Sequence, residues 1–338
     1  MNIHRAEQGH ELPSSSTPAD IDISNVLVSI VIPTYNRAWG LKLAIESALA
    51  QTHANIEVIV VDDCSQDETS QVAETAASKD GRVVFFRQPT NVGMVSNWGY
   101  GLQHTKGEFV IFLADDDQLR PGFIANRLHR MSGNHSVHVA FSKYDIKNRD
   151  GSDIRTQNAE LNVEMTLDSE KLLEAALSRQ WFIGASLYRK DIIGGLWDEI
   201  KDDDLVLDFG LNIRIALKGH GVYIPDSDFI MLSHPGQNSQ AKRFKVYQQT
   251  SETLERIIAQ NPTQSHSFLL KQELADCHIG WGRYMASIGR IGAARSHFVK
   301  ALSICPTSRI AWLNFGLSSL WPKRLNRRSQ RDFTDYQS

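Results

Sequence analysis

Apolar runs rich in β-branched residues recur at regular intervals through the first third of the chain. Each run is short, continuous and bounded by polar residues, which is the pattern of a strand buried on both faces of a sheet. The four runs read VLVSIVIPT from Val26, IEVIVVDD from Ile56, RVVFFRQ from Arg82 and FVIFLA from Phe109. We therefore predict four buried strands at these places.

The segments between these runs have helical spacing. The first shows it most clearly, with apolar residues on one face at Leu41, Ala44, Ile45, Ala48 and Leu49. Ser65 and Glu68 form a capping-box pattern that predicts a helix through about Lys79, and MVSNWGYGLQH predicts another. Strands that alternate with helices predict an α/β fold with a doubly wound, mostly parallel sheet and helices on both faces.

The second half of the chain is less regular. VHVAFSKYDI and GVYIPD predict strands, whereas SEKLLEAALS and DFGLNIRIALKG predict helices, and only helical periodicity is left beyond about Arg243. We predict a disordered polar leader over 1–24, one α/β domain over 25–242 and a small all-α region over 243–338.

Composition and charge limit the classes of protein to consider. The 338 residues are 41% hydrophobic and carry a formal net charge of -3, which argues against nucleic acid as a partner. The three cysteines are widely spaced and suggest neither a metal cluster nor a disulfide framework, as expected in a reducing cytosol. The first residues lack a signal-peptide pattern, and no run reaches the ~18 apolar residues of a membrane span. We expect a cytoplasmic protein, with peripheral contact at the inner face of the membrane left open.

Polar residues follow three of the predicted strands. The segments PTYNR, DDCSQDET and ADDDQL come after the first, second and fourth strands. Parallel strands end at one edge of a sheet, and ligands bind in the crevice at that edge. We therefore expect these three segments to meet at one site.

The triplet Asp115, Asp116 and Asp117 is the clearest chemical signal in the chain. Adjacent carboxylates tolerate one another when a divalent cation lies among them, and oxygen ligands suit Mg²⁺ or Mn²⁺. The alternative is a solvated acidic loop before a helix whose first turn contains Pro121. The position at the edge shared with two other polar segments favours the metal site.

Two further segments are weaker signals. A carboxylate of Asp62 or Asp63 could accept the N3–H of uracil or thymine, or both could simply complement the start of a helix. Asn91, Gly93 and Asn97 could approach phosphate or ribose, or belong to a loop and helix without a ligand.

These segments, taken in order, closely resemble family 2 glycosyltransferases of the GT-A fold over about Val26 to Ser239. The resemblance implies metal-dependent, inverting transfer of a sugar from a nucleotide diphosphate. It assigns nucleotide binding to the following positions: Pro33, Thr34, Tyr35, Asn36, Arg37, Asp63, Asn91, Gly93, Asn97 and Asp115. The family's acidic motif is usually Asp-x-Asp-Asp, with its last residue four positions before a proline. Counted back from Pro121, these four positions are Ala114, Asp115, Asp116 and Asp117, so the leading acid is shifted by one residue. The resemblance implies Asp116 and Asp117 as metal ligands, and Asp115 as a contact to ribose or metal.

The resemblance also implies a base that deprotonates the attacking hydroxyl, opposite the leaving diphosphate. Alignment on the helix puts Asp208 there, with Leu207 where a glutamate is usual. The alternative for Asp208 is a helix N-cap. The rival aspartates 202–204 are better explained as a solvated loop. In MLSHPGQNSQ, His234 is placed to coordinate the metal or contact phosphate, and the alternative is a structural histidine.

The helical region resembles a tetratricopeptide repeat over about 275–306. The positions that carry this resemblance are Trp281, Gly282, Ala294, Phe298, Ala301 and Pro306. Such a unit either packs against the catalytic domain or offers a surface to a protein partner. After Trp321 comes a basic cluster from Lys323 to Arg331, which suits an anionic membrane surface or is a disordered basic tail.

The leading hypothesis is a glycosyltransferase that uses a UDP-sugar, with dTDP-sugars second, and Mn²⁺ or Mg²⁺. Its acceptor would be a glycan or lipid-linked sugar in cell-surface polysaccharide synthesis. The alternative is a catalytically degenerate scaffold with the same fold. A nucleotidyltransferase would need a glycine-rich basic loop after the first strand, and PTYNRAWG is not one.

Overall fold

The computed structural model describes residues 22–149, 154–201, 203–234, 243–260 and 263–320. The described chain divides into two compact units, one of residues 22–201 and 211–234 and one of residues 203–210 and 243–320. The predicted leader lies almost entirely outside the described residues, and the basic cluster after Leu320 lies wholly outside them.

The elements follow the chain in this order. The first part contains β1 (Val28–Thr34), α1 (Ala38–Leu49), β2 (Ile56–Asp62), α2 (Thr69–Lys79), β3 (Val83–Arg87), α3 (Met94–Gln103), β4 (Phe109–Phe112), β5 (Gln118–Leu119) and α4 (Phe123–Met131). The middle contains β6 (Val137–Ser142), β7 (Tyr144–Asn148), β8 (Ile154–Gln157), β9 (Met165–Leu167), α5 (Ser169–Leu177), β10 (Ser186–Arg189), α6 (Lys190–Gly194) and α7 (Trp197–Ile200). The last part contains α8 (Leu207–Ala216), β11 (His220–Ile224), β12 (Phe229–Ser233), α9 (Arg243–Ala259), α10 (Gln264–Ser287), α11 (Ile291–Ile304) and α12 (Arg309–Leu320).

The larger sheet has eight strands in the order β3-β2-β1-β4-β10-β6-β11-β9. Strands β3, β2, β1 and β4 pair in parallel, as do β6 and β11, whereas β10 is antiparallel to both of its neighbours. Strand β9 adds an antiparallel edge to β11. The predicted α/β fold with a mostly parallel sheet is confirmed. Strand β1 is buried throughout because helices cover both faces of this sheet.

A second sheet of four strands, in the order β5-β12-β7-β8, was not predicted. The prediction of one strand over VHVAFSKYDI is wrong, because that segment forms β6 in the larger sheet and β7 in the smaller one. The chain leaves one sheet for the other at Lys143. Apolar residues lie on both sides of this residue, at Phe141 and Tyr144, and the interruption of two polar residues is too short to indicate the end of a strand.

Two predicted helix starts are also wrong. Helix α2 begins at Thr69 and not at Ser65, and Asp67 accepts the N–H of Thr69 at 3.0 Å. Ser65 instead donates its N–H and its hydroxyl to Asp62, so the capping-box residues are used in the loop. Helix α4 begins at Phe123, and Pro121 therefore precedes it.

A buried ion pair fixes the position of β12. Arg127 on α4 is fully buried and donates two hydrogen bonds to Asp228, at 2.7 and 2.9 Å. The same guanidinium donates to the hydroxyl of Ser142 and the carbonyl of Ala185. Because Asp228 directly precedes β12, these bonds hold the start of that strand beside the end of β6.

In the second unit, α10 and α11 form a helical hairpin closed by the turn at Gly289, whose φ is +82°. The ring of Phe298 occupies the space where a Cβ on Gly282 would lie, so the small residue allows the helices to approach. Ala294 and Ala301 are buried in the clusters between these helices. The tetratricopeptide assignment stays a prediction. Among the described residues, no helix has the length and apolarity that crossing a membrane requires.

Candidate active site

The loops after β1, β2 and β4 meet because β1 lies between the other two strands. Val31 in β1 pairs with Ile59 of β2 and with Phe112 of β4, all in parallel. Their carboxyl ends therefore lie at the same edge of the sheet. Beyond that edge, the N–H of Asp63 donates to the carbonyl of Thr34 at 2.9 Å. The predicted meeting of the three polar segments is observed.

The acid triplet is buried at this edge. Asp115, Asp116 and Asp117 are 5%, 8% and 3% exposed, so their charges must be compensated within the protein. Arg37 Nη1 lies 2.8 Å from Asp115 Oδ1 and 2.7 Å from Asp116 Oδ2. The hydroxyl of Thr34 donates to the second oxygen of Asp115 at 2.6 Å. One guanidinium thus bridges two carboxylates.

This compensation is incomplete. Burial raises the pKa of Asp115 to about 6, although Arg37 and the hydroxyl of Thr34 oppose the shift. Burial, followed by the negative charge of Asp116, raises the pKa of Asp117 well above its ordinary value. Asp117 accepts the N–H of Leu232 in β12 at 2.9 Å, which ties the triplet to the second sheet. The site would therefore gain from additional positive charge.

Helix α1 approaches the triplet very closely. A Cβ on Gly40 would lie 2.5 Å from the carbonyl oxygen of Asp115 and 3.2 Å from the Cα of Asp116. Only glycine allows this separation, so Gly40 fixes the distance between α1 and the acidic loop. This role of Gly40 could not be predicted from the sequence, because a glycine within a helical pattern usually only lowers the stability of the helix.

His234 lies at the same carboxylates. It follows β12, and its Nε2 is 2.8 Å from Asp116 Oδ2. The ring of Trp39, in α1, meets His234 edge to face with centroids 5.5 Å apart. The guanidinium of Arg149 lies 4.1 Å above the Trp39 ring. Sequence reasoning missed both Trp39 and Arg149, because Trp39 fits the helical pattern and Arg149 follows a strand in a turn-like segment.

The acid pair after β2 is used differently. Asp62 is fully buried and accepts hydrogen bonds from Ser65 and from the hydroxyl of Ser70. The two oxygens of Asp63 accept the N–H groups of Val92 and Gly93 at 2.6 and 3.0 Å. These bonds shape the loop before α3. Each oxygen of Asp63 retains a second lone pair, and the contact with a nucleobase stays a prediction.

The remaining predicted nucleotide contacts divide into loop residues and buried residues. Gly93 has a φ of +86°, a conformation that favours glycine, and Asn91 donates to the carbonyl of Asp63 at 3.3 Å. Asn97 is 2% exposed and donates to the carbonyl of Val61 at 2.8 Å. One amide N–H of Asn97 is thus bound to β2, and its role at a nucleotide stays a prediction.

The PTYNR segment takes its shape from the loop after β2. Asn36 accepts the N–H of Gln66 at 2.7 Å and donates its own N–H to the hydroxyl of Ser65 at 2.8 Å. Pro33 is buried within β1, whereas the ring of Tyr35 is exposed. An exposed aromatic ring beside the triplet is available to stack on a planar base.

The acids near α8 belong to the second unit and are described within it. Asp208 lies in the first turn of α8, one residue inside the helix, and is partly exposed. Asp203 is fully buried and accepts hydrogen bonds from Thr253 and Arg256, so its assignment to a solvated loop is wrong. Arg256 lies about fifty residues further along the chain, and nothing local in KDDDL indicated this partner. Asp202 lies outside the described residues.

The residues present fit a divalent ion that is shared with a substrate. No three His, Cys, Asp or Glu side chains among the described residues are grouped closely enough to enclose an ion by themselves. Mg²⁺ usually binds through one or two carboxylates together with substrate phosphates. Asp116 supplies a carboxylate of that kind, and His234 adds an imidazole nitrogen, beside carboxylates that lack full compensation.

Residues 29–194 match the sequence model of the family described as Glycosyl transferase family 2. They form a family 2 glycosyltransferase domain. The match covers the triplet, the loops after β1 and β2, Trp39 and Arg149. It confirms the resemblance seen in the motifs.

Curated proteins similar to this glycosyltransferase domain come from several bacteria. An "Uncharacterized glycosyltransferase" of Haemophilus influenzae is 33% identical over 129 residues, which are 38% of this chain and 51% of that protein. The "GalNAc(5)-diNAcBac-PP-undecaprenol beta-1,3-glucosyltransferase" of Campylobacter jejuni is 29% identical over 49% of this chain and 52% of that protein. The "UDP-Glc:alpha-D-GlcNAc-diphosphoundecaprenol beta-1,3-glucosyltransferase WfaP" of Escherichia coli is 34% identical over 36% of this chain and 47% of that protein. The chain spans about half the length of these relatives.

Solved glycosyltransferase structures share the fold. S. aureus TarS 1-349 in complex with UDP-GlcNAc matches with a TM-score of 0.66 and 17% identity over 91% of both chains. The mannosyltransferase PcManGT from Pyrobaculum calidifontis, in complex with GDP-Man and Mn²⁺, matches with a TM-score of 0.55 and 18% identity. That match covers 90% of this chain and 84% of the other. These similarities confirm the predicted GT-A fold.

Proposed function

We propose that this protein is an inverting, metal-dependent glycosyltransferase that moves a sugar from a nucleotide-diphosphate donor to a hydroxyl group. A UDP-sugar is the first choice of donor and a dTDP-sugar the second. The observation that carries the proposal is the buried acid triplet at the edge where three parallel strands end, within a family 2 domain. There the guanidinium of Arg37 and the imidazole of His234 both contact Asp116.

Asp116 and His234 are proposed to hold Mn²⁺ or Mg²⁺ together with the donor diphosphate, and Asp117 to support them. When bound, the ion supplies positive charge to the leaving diphosphate. Arg37 bridges Asp115 and Asp116 without the ion, and can turn to the diphosphate once the ion replaces its charge. Thr34 then keeps Asp115 in place through its hydroxyl. Tyr35 and Asp63 are proposed to position the base, by stacking and by accepting its N3–H.

Asp208 is proposed as the base that takes the proton from the attacking hydroxyl. Its carboxylate is partly exposed in the first turn of α8, and its Oδ1 accepts the N–H of Phe209 at 2.8 Å. That bond orients the carboxylate at the start of α8, where partial exposure lets an acceptor hydroxyl reach it. The assignment rests on the resemblance of the helix to that of the family.

The proposed acceptor is a sugar carried on a lipid diphosphate, in cell-surface polysaccharide synthesis. Two relatives carry undecaprenol-linked diphosphates in their names, which supports this class of acceptor. An acceptor in a bilayer makes peripheral membrane contact useful. Helix α12 has apolar side chains that are about half exposed or more, and the sequence beyond it is basic from Lys323 to Arg331. The exposed apolar residues of α12 are Ile310, Trp312, Leu313 and Leu320.

Vesicle binding tests the membrane part of the proposal. The full chain should sediment with vesicles containing anionic phospholipid and stay in solution with purely zwitterionic ones. The Trp312→Ser and Leu313→Ser double variant should sediment less. Equal sedimentation of the double variant and the wild type would reject α12 as the contact, and would leave a protein partner as the use of this surface.

A thermal-shift panel tests the activity itself. Wild-type protein is heated with UDP, dTDP or GDP, each with and without Mn²⁺, and UDP should raise Tm only when Mn²⁺ is present. Asp116→Ala should abolish this shift and donor hydrolysis while it keeps the fold. Glu46→Gln removes an exposed negative charge from α1 and should change neither. No response to any nucleotide would favour the scaffold alternative.

A further inference from the structure

Arg149 is brought to the site by the second sheet. Strands β7 and β12 pair in parallel from Asp145 with Ile230 to Asn148 with Ser233, so both end at the same edge. The pairing continues one residue further, because the N–H of Arg149 donates to the carbonyl of Ser233 at 3.2 Å. Arg149 therefore lies beside the residue that follows Ser233, which is His234.

The side chain of Arg149 is held by an aromatic ring. Its guanidinium carbon lies 4.1 Å from the centroid of Trp39, and the Trp39 ring in turn meets His234 edge to face. His234 contacts Asp116. An unbroken chain of contacts thus joins Arg149 to the acid triplet. Stacking on an aromatic face positions a guanidinium and leaves its N–H groups free to donate.

The positive charge of Arg149 is not compensated by a carboxylate of the described residues. Arg37 and His234 both contact Asp116, whereas Arg149 forms no ion pair with any carboxylate in the described ranges. Arg149 is also exposed. Its guanidinium is held in position, has N–H groups that can donate hydrogen bonds, and lies next to a site that is proposed to bind phosphate. A guanidinium presents paired N–H groups that match two phosphate oxygens.

We infer that Arg149, held on Trp39, is a subsite for a phosphate group of a substrate. The inference rests on the proposed function and adds a residue that the family motifs did not indicate. Two sources carry this chemistry: the diphosphate of the nucleotide donor and the diphosphate of a lipid-linked acceptor. In both cases, phosphate oxygens accept hydrogen bonds from the Arg149 guanidinium.

Binding measurements on the full chain separate the two sources. Titration calorimetry in the presence of Mn²⁺ compares UDP with uridine, and farnesyl diphosphate with farnesol, for the wild type and for Arg149→Gln. Arg155→Gln is the matched control, because Arg155 is an exposed arginine in the neighbouring strand β8 and contacts no aromatic ring or carboxylate among the described residues. Trp39→Leu removes the stacking platform and keeps the guanidinium.

The expected result is a rise in Kd of about tenfold or more for one of the two diphosphates in Arg149→Gln. Uridine and farnesol should bind as in the wild type, since neither carries phosphate. Trp39→Leu should weaken the same diphosphate by a smaller factor, and Arg155→Gln should change its Kd less than about twofold. A change confined to UDP assigns the donor, and a change confined to farnesyl diphosphate assigns the acceptor.

Two outcomes would overturn the inference. If Arg149→Gln binds both diphosphates as the wild type does, Arg149 is not a phosphate subsite, while the proposed function stands on the wild-type binding of UDP. If Arg155→Gln weakens binding as much as Arg149→Gln, the effect is general electrostatics and not a built site. A wild type that binds neither diphosphate would instead reject the proposed function, and the subsite with it.

Discussion

Two loops of this domain begin with adjacent aspartates at the end of a buried parallel strand, and the structure compensates them in different ways. Asp62 and Asp63 accept hydrogen bonds from the hydroxyl groups of Ser65 and Ser70 and from backbone N–H groups, while Arg87 Nε lies farther off, 3.8 Å from Asp62 Oδ2. Asp115 and Asp116 share the guanidinium of Arg37, and Asp116 also meets His234. In sequence the two clusters look alike, but the first is compensated mainly by hydrogen bonds and the second by the side chain of an arginine.

The difference indicates which aspartates stabilise a loop and which are available to bind an ion. Hydroxyl and N–H donors are fixed parts of the loop, and no ion from solution can replace them. The cation at the triplet, Arg37, is a side chain that can move aside, and the raised pKa of Asp115 and Asp117 shows that it does not fully compensate the charge. A divalent ion should therefore act on the second loop and not on the first.

The largest effect is expected from Gly40→Ala. The new Cβ would lie 2.5 Å from a backbone oxygen of the acidic loop, which no change of rotamer can relieve. We expect a loss of about 3 kcal/mol in the free energy of unfolding, together with loss of activity, because the triplet must shift. Denaturant unfolding measures the first and donor hydrolysis the second.

Gly194→Ala is the matched control for that prediction. Gly194 ends α6 in the same unit, and a Cβ there meets nothing within 4 Å. Alanine at this position should be neutral or slightly stabilising. Equal losses in the two variants would show that the close approach at Gly40 is not what fixes the acidic loop.

The parts of the site that follow from topology could be predicted from the sequence. Strands β1, β2 and β4 lie where continuous apolar runs occur, since a strand covered on both faces needs no polar alternation. Their parallel order then brings Thr34, Asp63 and Asp115 to one edge. Strands β5, β8, β9 and β10 are two to four residues long, too short to show a period, and they were missed, as was the five-residue β12.

The partners of the charged residues could not be predicted. Trp39 and Arg149 are separated by more than a hundred positions, and their contact depends on a second sheet whose existence the pattern did not show. Asp203 looked like part of a solvated run, yet it is buried against Arg256. The partner that compensates a charged residue often lies far away in the sequence, whereas a local pattern shows only which residues are charged.

Arg37→Gln should have the second-largest effect. It leaves two buried carboxylates without their shared cation, and we expect a loss of about 2 kcal/mol, reduced from that of a fully buried pair because Arg37 is 24% exposed. Mn²⁺ should restore part of the lost Tm, since it can take the place of the guanidinium. A Tm that rises equally in the wild type and the variant would argue against an ion at the triplet.

Ser70→Ala tests the other loop and should have a smaller effect. It removes one hydroxyl donor from the buried carboxylate of Asp62, at a cost of about 1 kcal/mol. Mn²⁺ should not restore this loss, because the remaining donors to Asp62 enclose it within the loop. Rescue by Mn²⁺ in Ser70→Ala as strong as in Arg37→Gln would erase the distinction between the two loops.

The smallest effect is expected from pH, which leaves every side chain in place but should act on the two loops with opposite sign. Burial raises the pKa of Asp115 to about 6. Between pH 4 and 6 the folded state therefore binds more protons than the unfolded state, and stability falls as pH rises through that window.

For Asp67, in the loop after β2, burial alone would raise the pKa, but hydrogen bonds from Thr69 and Ala38 outweigh burial and lower the pKa. Its contribution is present above the ordinary pKa near 4 and is lost in more acidic solution. Asp115→Asn should therefore flatten the profile of Tm between pH 4 and 6, and Asp67→Asn should flatten it only below pH 4. If the Tm profiles of both variants follow that of the wild type, the pKa of neither carboxyl group is shifted in the folded state.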